Sequence, residues 1–518
     1  MKRAITFFLF FFAGIILLQA QPKLLSESLT LPVFGKLGYP NIEIYDQEDE
    51  YTGLFKGPVS SAKYADKEGN NSAIIRFTQN STHVTQSNFK IDKSYDLQTF
   101  FNCKENVVGL YSKYDKKEDL YAIYKDLLPR SGRKHTSNPK LIANFSLAGR
   151  DGKFTYFASS QDNTKHVFAL IVTDRKKNFK GLYVHVLNEN GEKEWERELL
   201  PKFPHKHFYL QDIGISSNGE IFMLLNSFDS EKRAKSEETI HFLRIFENEE
   251  EMYDIKSPYK DIYEMRMKYI EEKERVVIAG FYGQTDKSSA TNLFTQTFNL
   301  STMSFADFDK KNLSNLASTS KGKVFGAIGT KRFDYRCVGM DLLENGNVVL
   351  LGEQFSFYIT TTTNNKGMIT HKYNYDFRNI IVSFISSEGN ILNTEKIEKS
   401  QFASLGRPIE SQYYSAFGLS FDYFVGGTKV YTIFNDLTDN YTEKNKNRRL
   451  YNFTGKYKKT CTIIATIDLH NKADIHMINR YDNNPIYFHK LINHNPEKRT
   501  TLLLYGEKKA YSLHFLNY

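Results

Sequence analysis

The chain has 518 residues, with 69 Lys and Arg against 60 Asp and Glu (formal charge +9 at neutral pH), 41 Phe, 33 Tyr, 12 Pro and 3 Cys. A charged fraction of 25% beside 40% hydrophobic residues excludes a disordered or collagen-like chain. Three cysteines exclude a disulfide scaffold and any cysteine-rich zinc or iron–sulfur array, and so thin a charge excess reads as mixed solvated surface, with no nucleic-acid partner expected.

In chain order, the first segment is Lys2-Arg3, an apolar run over 5–18 and the small residue Ala20. Basic, apolar and small in that order predict an export signal over 1–20, removed to leave a periplasmic, cell-surface or secreted protein. An uncleaved anchor is the competing reading. No later stretch approaches the ~18 apolar residues of a spanning helix, so no membrane span is expected after cleavage and the mature chain is expected to be soluble. Residues 21–60 read as an extended N-terminal segment ahead of one repetitive domain over 61–518.

That domain repeats a single pattern. Short runs of Val, Ile, Phe and Tyr alternate with polar residues and are separated by Asn-Gly-type turns, as in 213–225, 338–353 and 380–392. Period-2 alternation places one face of each strand in a core, and Asn-Gly or Glu-Gly supplies the positive φ of tight hairpins. The most apolar strand after each turn centres on Val108, Phe168, Phe222, Val277, Val349, Tyr431 and Leu503. A second, more polar hairpin lies between consecutive centres, at 182–199, 241–255, 381–397 and 463–478. Each period therefore holds four strands, which is one propeller blade. The expected fold is all-β, a propeller with seven blades ahead of six or eight, and a tandem of sandwiches as runner-up. After Leu503 only 510–518 remains, one strand short, so a strand from the N-terminal region is expected to complete the last blade, with 73–77 and 82–89 as candidates.

This organisation resembles secreted β-propeller repeat proteins in general and no named family. The WD dipeptide is absent, since the single Trp is Trp195 in WERE; Gly426-Gly427 is the one glycine doublet that kelch repeats would need in every blade; and 159–168 shares only Ser and Asp with an Asp box.

Catalytic signatures are missing: no G-x-S-x-G, H-E-x-x-H, phosphate-binding glycine loop, C-x-x-C or EF-hand loop occurs. His205 and His207 are two ligands without a third, and no cofactor or metal is called for. Cys103, Cys337 and Cys461 read as small buried hydrophobes. Aromatic residues recur where first strands should begin: Phe208 and Tyr209, Tyr259 and Tyr263, Phe333 and Tyr335, Tyr413 and Tyr414, Tyr487 and Phe488. Either they ring one mouth of the channel or they pack between blades. The three longest insertions, 316–332, 354–377 and 435–459, should all open on one face, where binding usually resides. The last carries Arg448, Arg449 and Lys456 interleaved with Tyr451, Phe453 and Tyr457. The reading favoured is a non-catalytic binding or scaffold module for an extracellular protein, peptide or glycan, using this face, with Tyr209, Tyr263, Tyr335, Tyr413, Tyr487, Arg448, Arg449 and Lys456 as contacts. The alternative is a hydrolase or lyase acting on extracellular polysaccharide or peptide through channel carboxylates, from among Asp212, Asp261, Glu264, Asp334 and Asp341.

Overall fold

The computed structural model describes residues 23–30, 41–47, 50–56, 71–78 and 85–90, and from 95 to 518 all but 103–105, 116, 119, 130–137, 147–151, 174–178, 200–206, 229–237, 256–260, 284–289, 317–332, 364, 410–413, 415–417, 442–452, 454–458, 482–486, 496–499 and 508–509. The export signal expected over 1–20 lies outside them. Strands dominate; the helical elements among the described residues are single 3-10 turns such as Glu271–Lys273 and Thr438–Tyr441. No described helix is long and apolar enough to cross a membrane.

Among the described residues the strands form eight antiparallel sheets; in seven of them four neighbours in chain order make an up-and-down meander, and the eighth joins three such neighbours to a strand from near the N-terminus. Sheet 1 spans 41–90, sheet 2 96–146, sheet 3 152–199, sheet 4 207–255, sheet 5 261–312, sheet 6 334–405, sheet 7 422–481 and sheet 8 487–517. Sheets 5 and 6 each carry one extra short strand, Asp309–Asn312 and Gln401–Leu405. All seven apolar centres read from the sequence fall on the second strand of a sheet, from sheet 2 to sheet 8. The reason is burial on both faces: Lys165–Thr173 and Ile221–Phe228 are buried almost throughout, whereas the fourth strands Lys193–Leu199 and Glu250–Ile255 alternate with solvent.

Successive sheets pack face to face through separate apolar clusters. Phe101, Val108 and Phe168 join sheets 2 and 3; Val184, Leu210 and Met223 join 3 and 4; Phe242, Met265 and Phe298 join 4 and 5. Phe281, Tyr335 and Ile381 join sheets 5 and 6; Val382, Phe434 and Ile463 join 6 and 7; Phe424, Tyr431 and Leu503 join 7 and 8. The first strands lie side by side, Gly152–Ser159 against His207–Ile215, then Asp261–Ile270, then Asp334–Leu342, and Asp422–Gly426 against Tyr487–Asn495. Sheets stacked radially with their first strands innermost are a β-propeller.

The ends of the chain meet in sheet 8, where Lys23–Thr30 pairs with Ala510–Asn517, Lys23 opposite Asn517 and Thr30 opposite Ser512. Residues 73–77 and 82–89, the expected completing strands, fall in and around Asn71–Thr78 and Thr85–Lys90, which pair with each other in sheet 1. In that sheet Asn41–Gln47 and Glu50–Lys56, from the stretch read as extended, supply the first two strands. The strand added to the last sheet is therefore the one nearer the N-terminus.

Candidate functional site

The insertion face is built on the second and third strands of sheet 6. Val348–Thr363 and Ile369–Ile385 pair from Val348↔Ile385 out to Thr363↔Ile369, so the insertion 354–377 is a continuation of the sheet and not an irregular loop. Up to Gln354 the second strand is buried; beyond it the sequence FSFYITTTT, aromatic and β-branched, holds the extended backbone as the hairpin leaves the core. Pairing to the first strand stops at Asp334↔Phe355, and Gln401–Leu405 joins the outer half instead, Leu405 opposite Tyr373. On one face of this projection Phe355, Phe357 and Ile359 lie across from Phe377, Tyr375 and Tyr373. Tyr414 closes its base, 5.0 Å from the Phe377 ring and 5.6 Å from Tyr375. Farther out the apolar surface is bare: Phe357 is 46% exposed and Ile359 48%.

The other two insertions start or touch down at the same place. The Leu316 carbonyl accepts the Asn379 side-chain amide at 2.9 Å. Phe453 donates its N–H to the Ser400 carbonyl (2.9 Å) and accepts that of Phe402 (2.8 Å). Arg448, Arg449 and Lys456, and residues 317–332, lie outside the described residues.

Beneath the projection sits a charged layer. Glu353 and Lys399 are fully buried and paired, and Arg336 reaches the other Glu353 oxygen, Nε at 2.9 Å. Ser420 Oγ donates to that oxygen at 2.8 Å and Lys399 donates to Gln401 Oε1 at 3.0 Å. The Arg336 guanidinium lies 5.1–5.4 Å from the rings of Phe355, Phe377 and Tyr414, so the aromatic base rests on a cation. Burial alone would raise Glu353, but Lys399 and Arg336 outweigh it and hold the carboxyl below the ordinary glutamate range; burial pulls the Lys399 ammonium down. One sheet further on, Asp436 is buried and hydrogen-bonded to neutral groups, the Leu437 N–H (2.7 Å), Asn440 (2.6 Å) and the Tyr441 hydroxyl (3.0 Å), with the Lys399 charge acting only from outside hydrogen-bond reach. Burial pushes it up to about 7, against those hydrogen bonds.

At the other end of the inner strands, where they run into the tight turns, first strands of sheets 3 to 7 line a cavity of about 340 Å³. Asp212, Arg266, Lys268, Met340 and Tyr423 face it. Lys268 pairs with Asp341 at 2.8 Å, and Arg266 lies 4.0 Å from Asp212 while donating to the Gln211 carbonyl at 2.9 Å. Burial raises the Asp212 carboxyl, opposed by Arg266 and by the Met267 N–H it accepts.

Most of the carboxylates proposed for chemistry accept a backbone N–H or pair with a lysine. Asp212 accepts the Met267 N–H (2.9 Å) and Glu264 the Cys337 N–H (2.7 Å), each on the first strand of the following sheet; Asp422 does the same for Leu491 (2.7 Å). Asp334 takes the Ala290 N–H at 2.8 Å. The bonds of Asp212, Glu264 and Asp422 staple neighbouring inner strands, with bulges at 210–212, 262–264 and 337–339 in the first strands of sheets 4, 5 and 6. Asp261 opens its strand.

Of the aromatic residues expected around the mouth, most whose side chains are described are buried. Tyr335 is fully buried 5.3 Å from Phe281, and Phe333, Tyr414 and Phe488 are also buried, because side chains that point between radial sheets become their packing. Tyr209 is the exception, 53% exposed. Tyr263 and Tyr487 lie on first strands, and Tyr413 lies outside the described residues. His207 stacks on Phe228 at 5.8 Å, while Cys337 and Cys461 are buried thiols that burial pushes up.

One constellation escaped the sequence. Ser227 Oγ is 2.7 Å from His241 Nε2, and His241 Nδ1 is 2.7 Å from Asp254 Oδ1, on three consecutive strands of sheet 4. The connectivity is that of a Ser-His-Asp triad, visible only through strand register. Ser227 has no exposed surface and its strand is paired on both sides, which leaves neither substrate access nor backbone donors for an oxyanion. It is a buried histidine satisfied at both nitrogens.

No family model and no curated protein matches the chain. Among solved structures it is similar to the WD40 domain of SCAP from fission yeast (9% identity, TM-score 0.37, covering 95% of this chain and 98% of that one). It is also similar to the β-propeller domain of the Trilobed protease from Pyrococcus furiosus (10%, 0.32, 70% and 97%) and to polysaccharide lyase Uly1 (10%, 0.38, 92% and 89%). Likeness at this level carries no argument about activity, and the chain joins no named family; its architecture rests on its own eight sheets.

Proposed function

We propose that this is an exported β-propeller binding module that captures an extended polypeptide segment of a partner protein on the projection of sheet 6, flanked by 316–332 and 435–459. The observation that carries the reading is the pair Phe357 and Ile359, half exposed and alternating on a strand that has left the core. An uncharged strand with apolar side chains at every second position suits an extended chain, which can add main-chain hydrogen bonds while its own alternate side chains meet that ladder. The charged layer below keeps the aromatic base rigid, so little ordering cost falls on binding. Against a hydrolase or lyase stands the commitment of Asp212, Glu264 and Asp334 to backbone amides and of Asp341 to Lys268.

The test screens the purified chain against extracellular lysate and a glycan array beside two variants, F357S/I359S and R448A/R449A/K456A. Loss of a protein ligand in the first variant supports the reading. Binding that survives it removes the projection as the site, and a glycan lost only in the second moves the site to the basic insertion.

A further inference from the structure

The cavity at the tight-turn end holds more hydrogen-bond donors than the protein uses. Arg266 carries five N–H groups, and one donates, to the Gln211 carbonyl. Lys268 carries three, of which one meets Asp341. Tyr423, half-buried, has no hydrogen-bond partner for its hydroxyl among the described residues, and burial pushes that hydroxyl up. The acceptors are already engaged: Asp212 takes the N–H groups of Ile213 and Met267, and Asp341 those of Lys268 and Leu342. Room is reserved for the tyrosine as well. A Cβ on Gly339 would overlap the Tyr423 ring, so sheet 6 presents bare backbone where the ring crosses it.

We infer that this cavity is a second binding site, for a small molecule bearing one carboxylate. The ligand carboxylate meets Arg266 and the Tyr423 hydroxyl, with Lys268 at the rim, while its remainder lies against Met267, Met340 and Phe222. A guanidinium fork matches a planar carboxylate. At about 340 Å³ the cavity is at the small end of ligand pockets, which run from roughly 300 to 1,000 Å³. The site is independent of the projection, which leaves from the opposite end of the strands.

Calorimetric titration of the full chain with sodium glucuronate and with N-acetylleucine tests it, beside glucose, N-acetylleucine amide and inorganic phosphate. One of the two acids is expected to bind and its uncharged counterpart to bind at least about tenfold more weakly; which acid binds tells a sugar acid from a peptide C-terminus. R266Q is expected to cost about tenfold and Y423F, which removes one oxygen from a ring that otherwise stays in place, roughly threefold or more. F357S/I359S should leave this binding unchanged. Failure of both acids to bind overturns the inference, as do phosphate binding more tightly than either acid and full affinity in both R266Q and Y423F.

Discussion

Glu353 and Asp436 lie in adjacent sheets, both shut away from solvent, yet burial has opposite outcomes for them. Glu353 touches two cations and stays charged; Asp436 touches an amide, a phenol and a backbone N–H and is held up to about 7. Hydrogen bonds from neutral donors offset part of the loss of water, and a cation in contact offsets the rest. The insertion face thus rests on one locked carboxylate and one that titrates near neutrality.

The largest expected effect comes from removing the cation. K399M leaves Glu353 buried with Arg336 alone and should cost about 3–5 kcal/mol of stability in chemical denaturation, much of it recovered in K399M/E353M. Recovery absent, or a negligible cost in the single variant, would break the contrast. Next comes pH. Because the folded value of Asp436 is raised, its contribution is fully present below about pH 4, the unfolded value, and is lost as pH rises through about 7, at up to ~1.4 kcal/mol per pH unit. Glu353, lowered in the fold, acts in the opposite sense: its contribution is present above the unfolded glutamate value and is lost as pH falls below it. Melting temperatures from pH 4 to 8 should therefore decline less in D436N than in the parent chain. S227A should be smaller, about 1 kcal/mol, since it strips one bond from the buried His241. Smallest of all, F357S/I359S should change stability by less than about 1 kcal/mol, because nearly half of each side chain already faces solvent.

The sequence made the central strands legible and hid what depends on pairing. Val108, Val277 and Val349 announce their sheets because strands buried on both faces read as unbroken apolar runs. No strand of sheet 1 carries such a run in its sequence: NIEIYDQ and TQSNFK are largely polar, and AIIRF alone looked like one strand in search of a sheet. The insertion at 354–377 was legible as an insertion but read as a loop, because its continued strand pairing depends on register. Lys399 was not legible, since nothing in EKSQF distinguishes a buried lysine from a solvated one. Its partner is 46 residues away, and only the register of sheet 6 brings them together. The inner-strand bulges are equally silent, so nothing in the sequence showed that Asp212 and Glu264 each hold a backbone N–H of the next sheet.

Sheet 8 is stitched from both termini, Lys23–Thr30 lying along Ala510–Asn517. It cannot close until the seven sheets between its two parts have been synthesised, since the paired strands lie on either side of all of them. Loss of the final eight residues would leave the segment at 23–30 with no neighbour and the strand at 500–507 with an open flank. A new start placed in an exposed turn, with the old ends fused, would let that sheet assemble from contiguous chain and so fold earlier.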